Sequence, residues 1–161
     1  LYCACFAEPP WYEVFEVALV EAEFREYLAM PDAVFLLAEI DGTVVGSSLG
    51  FSLGRKSEVA CLVGAAWERA FYLSELFVAG SRRHQGIARR LVAERFAAAR
   101  GQGFRRAVVR TSVDQPVIRR LYASLGFIEL ARQEVLSAKA VQGEVADQPD
   151  QRVILGGRIP A

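Results

Sequence analysis

The chain has 161 residues, 53% of them apolar and 24% charged, with 19 Lys and Arg against 19 Asp and Glu. A chain of this length and apolarity buries a core without a metal or disulfide staple, which excludes a disordered polypeptide and makes one domain over residues 1–161 the expectation. The zero formal charge argues against a surface that grips a polyanion as a whole, although a local basic patch can still hold a few phosphates.

Apolar residues recur at Val14, Ala18 and Ala22 and at Phe15 and Leu19, which predicts an amphipathic helix over Glu13–Met30, after Pro9-Pro10-Trp11 has stopped any earlier helix and before Pro31 ends it. Ala33–Ile40 and Thr43–Leu53 flank Asp41-Gly42, the signature of a β-hairpin. Gly54–Arg69 reads as an irregular or briefly helical connection. A strand follows at Ala70–Val78, then a loop, then a helix from Gly86 to Arg100 whose apolar face includes Ile87, Leu91, Val92 and Phe96. That face leaves Arg89, Arg90, Glu94 and Arg95 toward water. Phe104–Thr111 is expected as a strand, Asp114–Ser124 as a helix and Phe127–Val135 as a strand. A polar loop to about Gln151 and a last strand, Arg152–Arg158, complete the chain. This order packs as an α/β fold, a mixed sheet with helices on both faces.

No stretch approaches the ~18 uncharged apolar residues of a membrane span, and the first ten residues lack the pattern of a secretion signal, so a cytoplasmic protein is expected. Cys3, Cys5 and Cys61 have no CxxC spacing and His84 is the only histidine, so no metal is expected.

The chemistry concentrates where the strand ending in Leu76-Phe77-Val78 passes through Ala79-Gly80-Ser81-Arg82-Arg83-His84-Gln85 into the helix opened by Gly86-Ile87-Ala88. A strand-loop-helix turn aims free N–H groups and a positive helix end at one spot, suited to phosphate. There is no GxxxxGK[ST] and no GxGxxG, which argues against ATP hydrolysis and dinucleotide redox chemistry.

Arg83-x-x-Gly86-x-Ala88 resembles the [QR]-x-x-G-x-[GA] signature of the GNAT superfamily of acyl-CoA-dependent N-acyltransferases. Leu121-Tyr122-Ala123-Ser124-Leu125-Gly126-Phe127 resembles the family's later L-Y-x-x-L-G-F segment. The resemblance implies a mostly antiparallel mixed sheet with a splayed central strand pair, and acetyl-CoA as acyl donor. It implies that Arg83, His84, Gln85, Gly86, Ile87, Ala88 and Arg89 hold the cofactor's diphosphate end. Leu76, Phe77 and Val78 would bond its pantetheine arm through the main chain. Gln115 stands where family members commonly have a cofactor-contacting Asn, and Tyr72 stands where the histone-modifying branch places its carboxylate.

A primary ammonium, with pKa near ~10.4, must lose a proton before it attacks a thioester. Glu75 is the candidate base; its other reading is a sheet-face carboxylate paired with an Arg. Tyr122 is the candidate acid for the leaving thiolate, or else a core aromatic. His84 belongs to the anion loop rather than to proton transfer. The N–H of Phe77 or Val78 is a candidate for stabilising the developing oxyanion.

Trp11 and Tyr72 are expected to bind the acceptor, with Glu13, Glu16 and the acids Glu144 and Asp147 of the Ala138–Asp150 loop suiting a cationic amine. The Pro9-Pro10-Trp11 segment and that loop resemble small-molecule acetyltransferases. The anticipated partner is therefore a small-molecule amine, with no nucleic acid and no membrane, and a homodimer is compatible with the sequence. A catalytically silent acyl-CoA sensor and a protein or peptide N-acetyltransferase are the competing readings. The Arg pairs also suit a nucleic-acid binder, which the zero net charge disfavours.

Overall fold

The computed structural model describes residues 1–161 except Pro10, Gln142 and Ala161. Six strands form one sheet: β1 (Val34–Ile40), β2 (Thr43–Ser52), β3 (Phe71–Val78), β4 (Arg106–Ser112), β5 (Ile128–Val141) and β6 (Glu144–Arg158). Their order across it is β1-β2-β3-β4-β6-β5. Five helices accompany them: α1 (Tyr2–Ala7), α2 (Val17–Leu28), α3 (Ser57–Val63), α4 (Ile87–Gly101) and α5 (Pro116–Ser124). Among the described residues no helix is long and apolar enough to cross a membrane.

Asp41 and Gly42 turn β1 into β2 with positive φ values of 51° and 74°, the conformation an Asp-Gly pair tolerates. All neighbouring strands run antiparallel except β3 and β4, whose parallel pairing covers only Phe71, Tyr72 and Leu73 against Ala107, Val108 and Val109. Side chains of these central strands alternate between two cores. Phe71, Leu73, Ala107 and Val109 face α4 and α5 with Val92, Phe96 and Tyr122. Tyr72 and Val108 face the other way, with Tyr27 of α2, Val59 of α3 and Phe51 of β2. Helices thus cover both faces.

Several boundaries differ from the sequence-based expectation. A short helix, α1, precedes Pro9; of the Pro9-Pro10-Trp11 breaker, Pro10 lies outside the described residues. The helix expected from Glu13 begins only at Val17. Before it the chain is extended: Val14 N–H donates to Ala138 O at 2.9 Å and Ala140 N–H to Tyr12 O at 2.8 Å, so the open edge of β5 supplies main-chain partners that a helix would forgo. The late polar loop does not exist. Its residues extend β5 and β6 into a long two-stranded ribbon, paired from Ile128↔Gly156 out to Val141↔Glu144. Beyond Arg152 the ribbon lacks β4, so Glu144, Asp147 and Gln151 stay exposed, although Asp150 is buried against Ser112, Lys139 and Arg152, and Pro149 sits where β6 has a neighbour on one side only.

Arg95 was expected in water and is fully buried. The reason lies in β3, where Leu49 pairs with Glu75 and Gly50 with Leu73, leaving Ser74 as an extra residue. The bulge frees carbonyl groups, and Arg95 reaches them from α4.

Gly50 packs against this irregularity. A Cβ there would stand 2.6 Å from the Tyr72 main-chain oxygen and run into the Phe71 ring. Gly50→Ala should therefore destabilise the fold by about 1–3 kcal/mol, read as a lowered urea midpoint.

Candidate active site

Beyond Leu73 and Val109 the two central strands share no rungs, and a cleft of about 1260 Å³ opens between them. It reaches from the start of α4 to the N-terminal segment. Of the residues expected at catalysis and at the cofactor, all line it except Gln85, whose side chain lies over the loop with Nε2 3.5 Å from Ser81 O.

At one end, β3 runs through the 3-10 turn Gly80–Arg82 into α4. His84 and Gly86 have φ of 61° and 80°, and a Cβ on Gly86 would meet nothing within 4 Å. That conformation turns the main chain sharply and leaves its inner side clear. Among the described residues, no acceptor pairs with the N–H groups of His84, Gln85, Gly86, Ile87, Ala88 or Arg89. Six free donors at a helix N-terminus fit the diphosphate of a coenzyme A ligand. Arg83 is held in place: its Nε donates to Val78 O at 3.1 Å and its Nη1 pairs with Glu8 at 2.8 Å. Arg82 and Arg89 add positive charge to the cleft wall. Gln115 directly precedes α5 and also lines the cleft.

Midway stand Glu75 and Tyr122. Glu75 is at the bulge, where burial pushes its carboxyl up to about 7, against the opposing hydrogen bond from Ser74 Oγ at 3.1 Å; Glu23 raises it further. Among the described residues Glu75 has no ion-pair partner, so the alternative of an Arg-paired sheet carboxylate is not what the structure places here. Tyr122 is buried on α5 and its hydroxyl accepts from Arg95 Nη2 at 3.0 Å. Burial pushes the phenol up, and the Arg95 charge opposes that.

The N-terminal segment lines the other end. Tyr2 packs edge-on against Phe77, with ring centroids 5.4 Å apart. Trp11 carries the Arg152 guanidinium 4.8 Å over its ring, and Arg152 pairs with Glu13 at 2.8 Å and Asp150 at 2.9 Å. Tyr72 is buried at the base, its hydroxyl pushed up to about 12 by desolvation. Glu16, Glu144 and Asp147 do not line the cleft; Glu13 does, and so does Glu23, which accepts a short hydrogen bond from Tyr27.

Sequence reasoning missed Tyr2, Glu23, Tyr27, Arg95 and Arg152. The Glu23–Tyr27 pair carries an i,i+4 signal on α2. Arg95 carries none, because it sits among Glu94, Arg90 and Arg89 in a run that looks like a solvated helix face.

The sequence profile described as "Acetyltransferase (GNAT) family" matches residues 3–127. No curated protein matches the chain. Among solved structures, the ribosomal-protein-alanine N-acetyltransferase from Brucella melitensis superposes with a TM-score of 0.70 at 17% identity, over 98% of this chain and 89% of that one. The ribosomal-protein-S18-alanine N-acetyltransferase from Escherichia coli gives 0.63 at 14% identity, over 88% and 77%. The yncA protein from Salmonella typhimurium, solved with its cofactor acetyl-CoA, gives 0.64 at 16% identity, over 99% and 86%. At these identities the likeness establishes the fold.

A carboxyl whose pKa is higher folded than unfolded favours the folded state only while protonated. Stability from Glu75 is therefore lost as pH rises from about 4.5 to about 7. Glu75→Gln should stabilise the protein on the order of 1 kcal/mol at about pH 8, with the gain vanishing near pH 4.5, read by chemical denaturation at both pH values.

Proposed function

The chain belongs to the GNAT acetyltransferase family, acetyl-CoA-dependent N-acetyltransferases, and from that premise we propose that it acetylates a primary amine of a small molecule, with Glu75 as base and Tyr122 as acid. The observation that supports the acceptor class is the pair Glu23 and Glu75, which lines the cleft behind the N-terminal segment, while Glu13 there is already held by Arg152. Two carboxylates among Tyr2, Trp11 and Phe77 suit a compact cation with an apolar body. The N-terminal segment crosses this end of the cleft, from Tyr2 against Phe77 to Glu13 opposite Lys139, which supports a small acceptor over an extended peptide.

Acetyl-CoA supplies the thioester carbonyl to be attacked and a thiolate that departs. The free N–H groups from His84 to Arg89 hold its diphosphate, with Arg82 and Arg89 beside them, and Leu76, Phe77 and Val78 offer the unpaired edge of β3 to its arm. Glu75 takes the ammonium proton at its carboxylate. With a pKa of about 7 it is ionised often enough to accept and basic enough to compete for that proton. A main-chain N–H of Phe77 or Val78 faces the developing negative charge, an effect of about 3 kcal/mol where such donors are pre-aimed. Tyr122 holds a proton at Oη for the departing sulfur.

Thiol release from acetyl-CoA, screened over small mono- and diamines and over peptides with a free N-terminus, tests the proposal. Turnover with small amines and none with peptides is expected. Turnover with peptides alone overturns the acceptor class, and acetyl-CoA binding without turnover on any amine makes the protein a silent acyl-CoA sensor. With the best amine, kcat should rise through about pH 7 as Glu75 ionises. Glu75→Gln should lower kcat by roughly 100-fold while acetyl-CoA affinity holds within about twofold.

Gly86→Glu should abolish acetyl-CoA binding by calorimetry and its rise in Tm. The new side chain would strain a φ of 80° and set a carboxylate against the diphosphate.

A further inference from the structure

Arg95 is 0% exposed, and among the described residues no carboxylate pairs with it. Its Nη1 donates to Leu49 O and to Glu75 O, each at 2.8 Å, and its Nη2 donates to Tyr122 Oη at 3.0 Å. Its Nε has no partner. Burying a guanidinium without a carboxylate in contact is costly, the nearby Glu75 charge offsetting it only in part, and an apolar side chain would fill this core as Val92 and Phe96 do on the same helix. The charge therefore needs an explanation beyond packing.

We propose that Arg95 is a positioning residue for acetyl transfer: it forces the Tyr122 hydroxyl to act as a proton donor into the cleft and fixes the main chain that carries Glu75. The proposal rests on Tyr122 being the acid. A hydroxyl has one proton and two lone pairs, whereas a guanidinium has donors only. Arg95 can therefore bind Tyr122 only through a lone pair, and the phenolic proton must point elsewhere. Among the described residues no group accepts that proton, and both side chains line the cleft. The same guanidinium grips the carbonyl of Glu75, so one rigid fork spaces the acid and the base.

When the carbon–sulfur bond breaks, its electron pair stays on sulfur and takes the Tyr122 proton, and the phenolate left behind is stabilised by Arg95. The attacking ammonium releases two protons in all, one through Glu75 to solvent and one that restores Tyr122. One ammonium and one thioester thus give one amide, one thiol and one proton.

Arg95→Gln offers an amide that can accept as well as donate and so frees the phenolic proton to turn inward. Arg95→Lys keeps a donor-only cation. We expect Arg95→Gln to lower kcat on the order of tenfold or more with acetyl-CoA affinity within about twofold, and Arg95→Lys to recover most of the loss. In a Tyr122→Phe background, Arg95→Gln should change kcat less than about twofold. In the cofactor-free protein, carbon-13 NMR of ring-labelled tyrosine, with Tyr122 assigned by its loss in Tyr122→Phe, should show it titrating at higher pH in Arg95→Gln.

Equal kcat losses in both backgrounds, or an unchanged Tyr122 titration, would reduce Arg95 to packing and overturn the proposal. Full kcat in Tyr122→Phe would instead remove the acid itself, and with it the role of Arg95. Should Arg95→Gln not fold, the same cycle run with Arg95→Lys decides: the loss it leaves must vanish without the Tyr122 hydroxyl.

Discussion

Three rungs join the two halves of the sheet, and past Leu73 and Val109 the strands separate. A strand that leaves its neighbour in the middle of a protein exposes main-chain donors and acceptors that must be satisfied somewhere. On β3 the obligation is met from three sides. β2 continues to pair along one edge, the bulge at Ser74 re-aims the chain, and Arg95 takes the carbonyl of Glu75. What remains open on the β4 side is a strip of peptide beside a helix N-terminus. The cleft, its affinity for an acyl-CoA and the placing of Glu75 are all consequences of that one parting.

The zero net charge conceals a division of labour. Arg82, Arg83 and Arg89 crowd the start of α4, where an anionic ligand would lie, while Glu75 stands midway and Glu13 and Glu23 occupy the far end. The N-terminal segment touches both: Glu8 pairs with Arg83, and Glu13 with Arg152. It ties the anion loop to the β5–β6 ribbon across a gap the sheet does not bridge, and each tie is an ion pair.

Local signals were legible where local physics decides. The Asp41-Gly42 turn, the strand that ends at Val78 and the strand-loop-helix turn into α4 each depend on a few adjacent residues, and each appears as read. The ribbon was missed because Glu144–Gln151 is polar, and polarity argues for loop unless a partner strand offers pairing; β5 offers it. Glu13–Glu16 reads as helix by spacing, but Val14 N–H donates to Ala138 O on the open edge of β5, a partner more than a hundred residues away in sequence. Arg95 could not be read as buried, because its acceptors come from the β2–β3 bulge and from α5, and no periodicity within α4 encodes them.

Arg95 also bears on how the chain folds. Its acceptors belong to β2, β3 and α5, while it rides on α4. A partly assembled state that docks α4 before α5 dehydrates a guanidinium without its full set of partners, and such a state is heavily penalised. The docking of α4 is therefore energetically coupled to that of β2, β3 and α5, the elements that supply its partners.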